Sequence, residues 1–415
     1  MSIVTNLMRG ALVGAVLSAG ATVAHAQVEF MSWTVTEETG EAAINSMIES
    51  FDGEVEAQGY AWGEMNRNYL LRSRSGTAPD VGQSQGRLLP IIANLAGMQD
   101  LNEVIGRETL LEMFDEGFLA MGEVDGRQVA LPWITGTIGM VANREVLDAA
   151  GVDDIPVTVE EFREALIAVR DNVPNAVPLG LATKNANSIL LDYMTWVWIF
   201  GGDPLNADGQ PDVNSAEAIA ALEFMASAVQ ERLAAPEIDR PDARRLFAQG
   251  ATAFYIDAPV ARTFARQFSG RGEEIDPAVV PIRAPVLNAG DTPVSLQWGH
   301  VLVLFGDENG NAESDAARWM MHLLADEQLI DYAVGQSVLP ATRSGIASDA
   351  VEADQYLADW AATAVAPRRN SIASLENGAE IATIIGEEYQ AAILGQKSAE
   401  EAANDMQSRL EEAMN

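Results

Sequence analysis

The stretch that decides the fold is residues 28–51, VEFMSWTVTEETGEAAINSMIESF. Its first six residues are mostly apolar and predict a short β-strand from Val28 to Trp33. From about Glu38 to Phe51 the apolar residues recur mostly at spacings of three and four, which is typical of one buried face of an α-helix. The stretch therefore predicts a strand followed by a helix.

The same alternation continues downstream. Val55 to Trp62 predicts a second strand and Met65 to Ser73 a second helix, and a short strand at Val81 precedes a helix from Leu88 to Ala96. Strands that alternate with helices are typical of an α/β layer with a mostly parallel sheet. We therefore predict an α/β fold.

Local motifs add turns and helix starts to this outline. The pair Asp125-Gly126 between short apolar stretches predicts a hairpin. Thr158, Asn214 and Ser398 each have a glutamate three residues later, the spacing of a capping box, and predict helix N-termini. Further strands are expected at 138–142, 251–256 and 300–305, and further helices at 187–200 and 316–334.

Composition narrows the class of protein. The 415 residues include 61 acidic and 25 basic side chains, and the formal net charge is −36. Nucleic acids and anionic lipids bind basic surfaces, so neither is an expected partner. Because cysteine is absent, disulfides and thiol chemistry are excluded, and only His300 and His322 remain after residue 26. The sequence therefore predicts no metal and no cofactor, in a chain long enough for two domains.

Residues 1–26 have the order of a secretory signal peptide. Arg9 precedes an uncharged run from Gly10 to Val23, and Ala24-His25-Ala26 is a small-x-small cleavage site. The apolar run is shorter than the roughly 20 residues that span a bilayer. We therefore expect cleavage after Ala26 and a periplasmic protein that, lacking cysteine, carries no lipid anchor.

Beyond this outline, the chain resembles the family 1 extracellular solute-binding proteins, the maltose-binding-protein-like group of ABC sugar importers. The similar segments occur in family order and cover essentially the whole chain after residue 26; they are Ser75 to Val81 (SGTAPDV), Val124 to Pro132 (VDGRQVALP), Val141 to Leu147 (VANREVL), Pro156 to Phe162 (PVTVEEF), Phe247 to Phe254 (FAQGATAF) and Gly395 to Ala403 (GQKSAEEAA). One departure is Ala142, where the family often has tyrosine.

The resemblance implies a two-lobe periplasmic-binding-protein fold, type II, with the ligand between the lobes. It implies hinge crossings near 135–140, 296–300 and 339–343. We accordingly expect an N-terminal lobe of residues 27–136 plus 299–338 and a C-terminal lobe of 137–298 plus 339–415. The implied function is capture of a mono- or oligosaccharide and its delivery to the permease of an ABC importer, by a monomer that is not an enzyme.

Candidate ligand contacts follow from the rule that ligands bind at the carboxyl ends of strands in open α/β sheets. Tryptophan rings stack on sugar rings and polar groups bond their hydroxyls. The aromatic candidates are Trp33, Trp62, Trp133, Trp196 and Trp298. The polar candidates are Glu38, Asn68, Ser84, Gln85, Asn187, Asp257 and Arg343.

An enzyme is the main alternative. Gly82-Gln83-Ser84-Gln85-Gly86 has the spacing of the nucleophile turn in α/β-hydrolases, with Ser84 as nucleophile and His300 or His322 as its partner. Three fixed residues often match by chance, and Pro90 falls early in the helix that follows. A glycosidase would need two carboxylates at a defined separation. With 61 acidic residues some carboxylates will lie close together in any fold, so the sequence alone does not identify a catalytic pair.

A different solute is the second alternative. Arg67, Arg87 and Arg343 could bind a carboxylate or phosphate, so a sugar acid or a phosphorylated polyol is open. The many acidic residues would instead suit a polyamine. The number of tryptophans favours a sugar.

Overall fold

A computed structural model describes residues 27–184, 186–306, 311–372, 375 and 377–414. The side chains of residues 38, 39, 186 and 187 lie outside this description. The fold is mixed α/β, as the alternating pattern predicts. The predicted signal peptide lies outside the described residues.

The strands of the described residues form one large sheet and one small hairpin. They are β1 (Val28–Ser32), β2 (Val55–Gly59), β3 (Val81–Gln85), β4 (Glu123–Val124), β5 (Arg127–Gln128), β6 (Ala130–Asn143), β7 (Leu179–Gly180), β8 (Phe254–Asp257), β9 (Val279–Ile282), β10 (Ser295–Leu304), β11 (Leu339–Pro340) and β12 (Pro367–Arg368). The hairpin is β4-β5, and its turn residues Asp125 and Gly126 have φ angles of 52° and 77°, which confirms the predicted turn.

The large sheet has the strand order β2-β1-β3-β10-β6-β8-β7, with β11 and β9 paired to β6 and β12 paired to β10. Strands β1, β2 and β3 are parallel, and β10 joins β3 in the antiparallel sense. The parallel part is therefore the product of the strand-helix alternation at the beginning of the chain.

Two long strands carry the chain through the middle of this sheet. Residues 130–138 of β6 pair with β10, whereas residues 139–143 pair with β8 and β9. The lobe boundaries predicted at 136/137 and 298/299 fall inside β6 and β10, and the boundary at 338/339 directly precedes β11. The division into lobes at these residues stays a prediction.

The helices of the described residues alternate with the strands in the first part of the chain and predominate after β10. They are α1 (Glu38–Ser50), α2 (Met65–Arg74), α3 (Leu89–Ile92), α4 (Arg107–Met113), α5 (Glu116–Leu119), α6 (Arg144–Ala150), α7 (Val159–Asn172), α8 (Ala186–Ile199), α9 (Ala216–Gln230), α10 (Arg240–Ala248), α11 (Ala261–Ser269), α12 (Asp315–Leu323), α13 (Asp326–Gly335), α14 (Arg343–Ile346), α15 (Asp349–Glu352), α16 (Gln355–Thr363), α17 (Gly378–Ile393) and α18 (Ala399–Met414).

The predicted helix starts are partly confirmed. Thr158 and Glu161 form a complete capping box at α7, and Ser398 accepts a hydrogen bond from the Glu401 amide at the start of α18. At α9 the prediction is wrong by one residue. The cap is Ser215, whose Oγ accepts from the Ala218 amide at 3.3 Å, while Asn214 bonds Asn404 instead.

The single helix predicted at 316–334 is wrong: the chain forms α12 and α13 instead. Ala325 between them has extended backbone angles, φ −65° and ψ 138°, which end the helical hydrogen bonding. Asp326 and Glu327 then stabilise the amino end of a new helix, where the helix dipole favours negative charge.

The core consists of one large cluster and two smaller ones. One cluster contains Met31, Tyr69, Val301 and Val303 beside β1 and β3, and another contains Val141, Phe247 and Tyr255 beside β8. A third and larger cluster runs through the middle and includes Leu302 and Leu296 of β10.

Candidate functional site

A cavity of about 460 Å³ lies at the middle of the sheet, between the β1-β3 end and the β8 end. Its walls come from the loops after β1 and β2, the end of β3, the long strands β6 and β10, and the helices α8, α10, α11 and α13. The loops at the carboxyl ends of parallel strands contribute, as the strand-end rule predicts. Both ends of the sheet therefore contribute side chains to one cavity.

Three tryptophans line this cavity: Trp33 after β1, Trp62 after β2 and Trp298 in β10. The rings of Trp33 and Trp298 both contact the ring of His300, each with its centroid 4.6 Å away and nearly perpendicular. Trp62 is only partly buried. The three side chains present apolar ring surface to a cavity that also contains polar groups.

The protonation of His300 is set by a chain of hydrogen bonds. The Gln83 Oε1 accepts from the hydroxyls of Ser32 (2.5 Å) and Thr34 (2.9 Å), so the Gln83 Nε2 is the donor to His300 Nδ1 at 3.0 Å. His300 is therefore neutral, with its proton on Nε2. Burial, aided by the charge of Arg87, lowers the pKa of His300 to about 3.

We expect this buried imidazole to make stability depend on pH. The unfolded chain binds a proton near pH 6.5 and the native protein only near pH 3, so stability falls as the pH falls through this range, by up to about 1.4 kcal/mol per pH unit. Urea unfolding from pH 7 to pH 4 should give a shallower pH slope for His300→Gln than for the unaltered protein. Equal slopes would mean that folding leaves the pKa of His300 unchanged.

Two buried ion pairs form the wall on the β8 side. Arg244 donates from Nε and Nη2 to the Asp257 carboxylate at 2.7 and 2.8 Å, and its guanidinium lies 3.9 Å from the ring centroid of Phe264. Arg240 donates to Asp192 at 2.6 Å. Burial opposes ionisation of Asp257, but Arg244 outweighs it and holds the pKa of this carboxyl below its usual value. Both oxygens of Asp257 are thus occupied within the protein.

Glu37 is one of two carboxyl groups of the cavity that the sequence did not single out as ligand contacts; Asp239 is the other. Glu37 follows the loop after β1 and lines the cavity, and no described lysine or arginine lies within 4.0 Å of it. Burial raises the pKa of Glu37, although Arg244 opposes that shift. Its oxygens are available to hydroxyl donors of a ligand.

Of the predicted ligand contacts, the structure brings together Trp33, Trp62, Gln85, Asp257 and Trp298 along the cavity. Glu38 begins α1 and Asn187 lies in α8, but both side chains are outside the described part of the chain. The cavity also has residues that were not singled out as ligand contacts; they include Glu37, Arg240, Arg244, Phe264, His300 and Tyr332.

The remaining predicted contacts do not reach this cavity. Trp133 is fully buried behind it and stacks on Tyr332 at 4.5 Å, and Trp196 packs on Phe224 at 4.4 Å in the core. Both rings thus fill the interior rather than the cavity wall.

Three polar candidates also have other partners or orientations. Asn68 of α2 donates to the carbonyl of Glu64, the residue directly before that helix, at 2.9 Å. Arg343 begins α14, pairs with Asp115 and donates to the Phe114 carbonyl at 3.1 Å. Ser84 is buried in β3, and its Oγ has no partner among the described residues.

The register of β3 with β10 shows on which face of the sheet Ser84 and His300 each lie. Gln85 pairs with His300, and Ser84 pairs with Val301. Because neighbouring side chains of a strand point to opposite faces, Ser84 and His300 lie on opposite faces of the sheet. His300 therefore cannot take a proton from Ser84. His322 is bonded to the Met47 carbonyl and Ser50 at 3.0 Å each.

A second cavity, of about 340 Å³, adjoins the first. Gln85, Arg87 and Trp298 line both cavities. Its other walls come from the β4-β5 region and from the segment after β12, which contributes Arg369. The two cavities thus have part of their walls in common.

The described residues lack two features. No helix there is long and apolar enough to span a bilayer. The same residues contain no group of three or more histidine, aspartate or glutamate side chains placed to hold a metal ion.

The chain belongs to the family described as bacterial extracellular solute-binding protein, which it matches over residues 42–359. This confirms the family assignment made from the sequence motifs. A binding protein of Brucella abortus (strain 2308) is 23% identical over 288 residues, which are 68% of this chain and 67% of that protein.

Solved structures share the fold. The GacH receptor of Streptomyces glaucescens, determined without ligand and with acarbose, has a TM-score of 0.80 at 18% identity and covers 93% of this chain and 98% of its own. The maltose-bound MalE3 of T. maritima has a TM-score of 0.80 at 22% identity and covers 92% and 98%. The expected two-lobe fold of maltose-binding-protein-like proteins is therefore confirmed.

Proposed function

We propose that this protein is the substrate-binding component of an ABC importer and that it captures a mono- or oligosaccharide. The observation that carries the proposal is the convergence of Trp33, Trp62 and Trp298 with the polar groups of Glu37 and His300 on one cavity. Aromatic rings stack on the apolar faces of sugar rings, while carboxyl and imidazole groups bond their hydroxyls.

The proteins of similar fold support the choice of a sugar. The GacH receptor binds acarbose, MalE3 binds maltose, and a solute-binding protein of Thermotoga lettingae with a TM-score of 0.78 binds α-D-tagatose. These ligands are known for those proteins only. Because their sequence identities to this chain are below 25%, the sugar that this chain binds must be found by experiment.

The proposed mechanism is closure of two lobes on the ligand. The cavity has walls from both ends of the sheet, so a bound sugar contacts both. A ligand shifts an open-closed equilibrium only by binding one state more tightly, and contacts to both walls exist only in the closed state. The mature protein would be a periplasmic monomer from which residues 1–26 have been cleaved. Its closed form would then dock on the permease.

The test is a thermal-shift screen of residues 27–415 against sugars, sugar acids, phosphorylated polyols and polyamines. A ligand at about 100 times its dissociation constant adds about 2.7 kcal/mol of stability, which raises the unfolding midpoint visibly. A shift with saccharides that are recovered unchanged supports the proposal. A shift with polyamines alone, or turnover of an added ester, contradicts it.

Trp62→Ala is the binding variant of choice because Trp62 is only partly buried, whereas Trp33 and Trp298 are buried and contribute more to the core. We expect the affinity for the saccharide found in the screen to fall about tenfold, measured by isothermal titration calorimetry. Phe268→Ala is the control, since Phe268 is also a partly buried ring but lines neither cavity. Equal affinities for the two variants would remove Trp62 from the site.

A further inference from the structure

Arg87 differs from the other arginines of the first cavity in having no carboxylate partner. Arg240 and Arg244 are each paired with an aspartate, at 2.6 and 2.7 Å. Among the described residues, Arg87 makes one hydrogen bond, from Nε to Gln85 Oε1 at 2.7 Å, and lies 5.6 Å from the ring centroid of Trp62. Its Nη1 and Nη2 groups have no described acceptor.

The charges around Arg87 make this arrangement unfavourable without a ligand. Burial lowers the pKa of Arg87 to about 10, and the neighbouring charge that adds to this shift is the cation of Arg240. Arg87 is half-buried, and a cation that loses part of its hydration with no anion beside it carries a desolvation cost. The chain has 61 acidic and only 25 basic residues, so carboxylates are plentiful. The lack of a carboxylate partner for Arg87 is therefore not explained by a shortage of acidic residues.

A second guanidinium, that of the exposed Arg369, lies on the second cavity. Arg369 donates from Nε to Gln297 Oε1 at 3.2 Å, and no described carboxylate lies within 4.0 Å of it. Arg87 and Arg369 both line this cavity, and each is oriented through Nε by a glutamine oxygen. Glu123 is the acidic residue of the lining, and it is paired with neither arginine.

We propose that the saccharide carries a carboxylate and that Arg87, together with Arg369, binds it where the two cavities meet. The proposal rests on the proposed sugar-binding function and specifies its substrate class as uronic acids and saccharides that contain them. A planar guanidinium with free Nη groups matches the two oxygens of a carboxylate. The sugar ring then lies in the first cavity, against Trp62 and Trp298, which neighbour Arg87.

The experiment compares matched ligands by isothermal titration calorimetry: D-galacturonate with D-galactose, D-glucuronate with D-glucose, and D-glucose 6-phosphate as the other anion. We expect the uronates to bind at least tenfold more tightly than their neutral partners. Raising the salt concentration should weaken binding of the uronates more than binding of the neutral sugars. Both readouts use the unaltered protein, so neither depends on whether a variant folds.

Variants of Arg87 and Arg369 then test where the carboxylate of the ligand binds. Arg87→Gln should lower the affinity for D-galacturonate at least tenfold more than the affinity for D-galactose. Arg87→Lys should recover part of that loss. Arg369→Gln should have a smaller effect, since Arg369 is more exposed. Arg67→Gln is the control, because Arg67 lines neither cavity and pairs with Glu64 on the surface. Thermal unfolding of each variant without ligand checks that it is folded.

The outcomes separate this inference from the proposed function. Neutral sugars that bind as tightly as the uronates would overturn the inference and leave the sugar-binding function in place. D-glucose 6-phosphate binding more tightly than either uronate would overturn the assignment to a carboxylate. Failure of every saccharide, acidic or neutral, would reject the proposed function itself.

Discussion

Trp133→Ala is expected to lower the free energy of unfolding by about 3–5 kcal/mol, the range for removing a fully buried tryptophan. Trp133 is 0% exposed and stacks nearly parallel on Tyr332, with the centroids 4.5 Å apart and the planes at 14°. The substitution opens a cavity behind Tyr332, which itself lines the ligand cavity. Urea unfolding monitored by circular dichroism measures the loss.

Trp133→Phe is the matched control for this prediction. The Trp133 Nε1 has no hydrogen-bond partner among the described residues, so phenylalanine loses ring volume but no hydrogen bond. We expect it to cost clearly less than alanine does. If Trp133→Ala instead keeps the unaltered stability and loses ligand affinity, the ring contacts ligand directly, as the sequence had suggested.

Asp257→Ala is expected to cost about 3–5 kcal/mol, because it leaves the Arg244 guanidinium buried without its anion. The side chain of Asp257 is 3% exposed and that of Arg244 18% exposed. The same urea titration detects the loss. Glu64→Ala, which breaks the exposed pair with Arg67, should cost less than about 1 kcal/mol.

A double variant tests the cause of that loss. Asp257→Leu with Arg244→Met removes both charges, and we expect it to be more stable than Asp257→Ala alone, since no unpaired charge remains. A double variant as unstable as the single one would mean that the loss comes from altered packing around β8 and not from an unpaired cation.

Much of the fold could be predicted from local patterns. The first strand-helix alternation, the Asp125-Gly126 turn and the Thr158 cap depend on neighbouring residues, and each was found where expected. The length of β6 could not be predicted. Only 138–142 was expected, whereas the strand covers Ala130–Asn143, because pairing with β10, β8 and β9 extends it through a segment with two glycines.

The site residues that could be predicted from the sequence are those that lie at the end of a strand. Trp33, Trp62 and Gln85 lie at or just after the ends of β1, β2 and β3, and the strand-end rule selects them. Burial was not predictable for Trp133 and Trp196, since the sequence does not tell which aromatic neighbours a ring will find. Arg240 and Arg244 reach the cavity from α10, which is remote in sequence, and only the tertiary fold brings them there.

The position of β10 in the sheet has a consequence for the order of events during synthesis. This strand lies between β3 and β6, and Val301 and Val303 belong to the same core cluster as Met31 and Tyr69. That core cannot be completed until the ribosome has made Phe305, after β7, β8 and β9. Pairing between such distant segments is slow, since the loop between them must be closed first. The growing chain therefore stays without its finished central sheet for most of its synthesis.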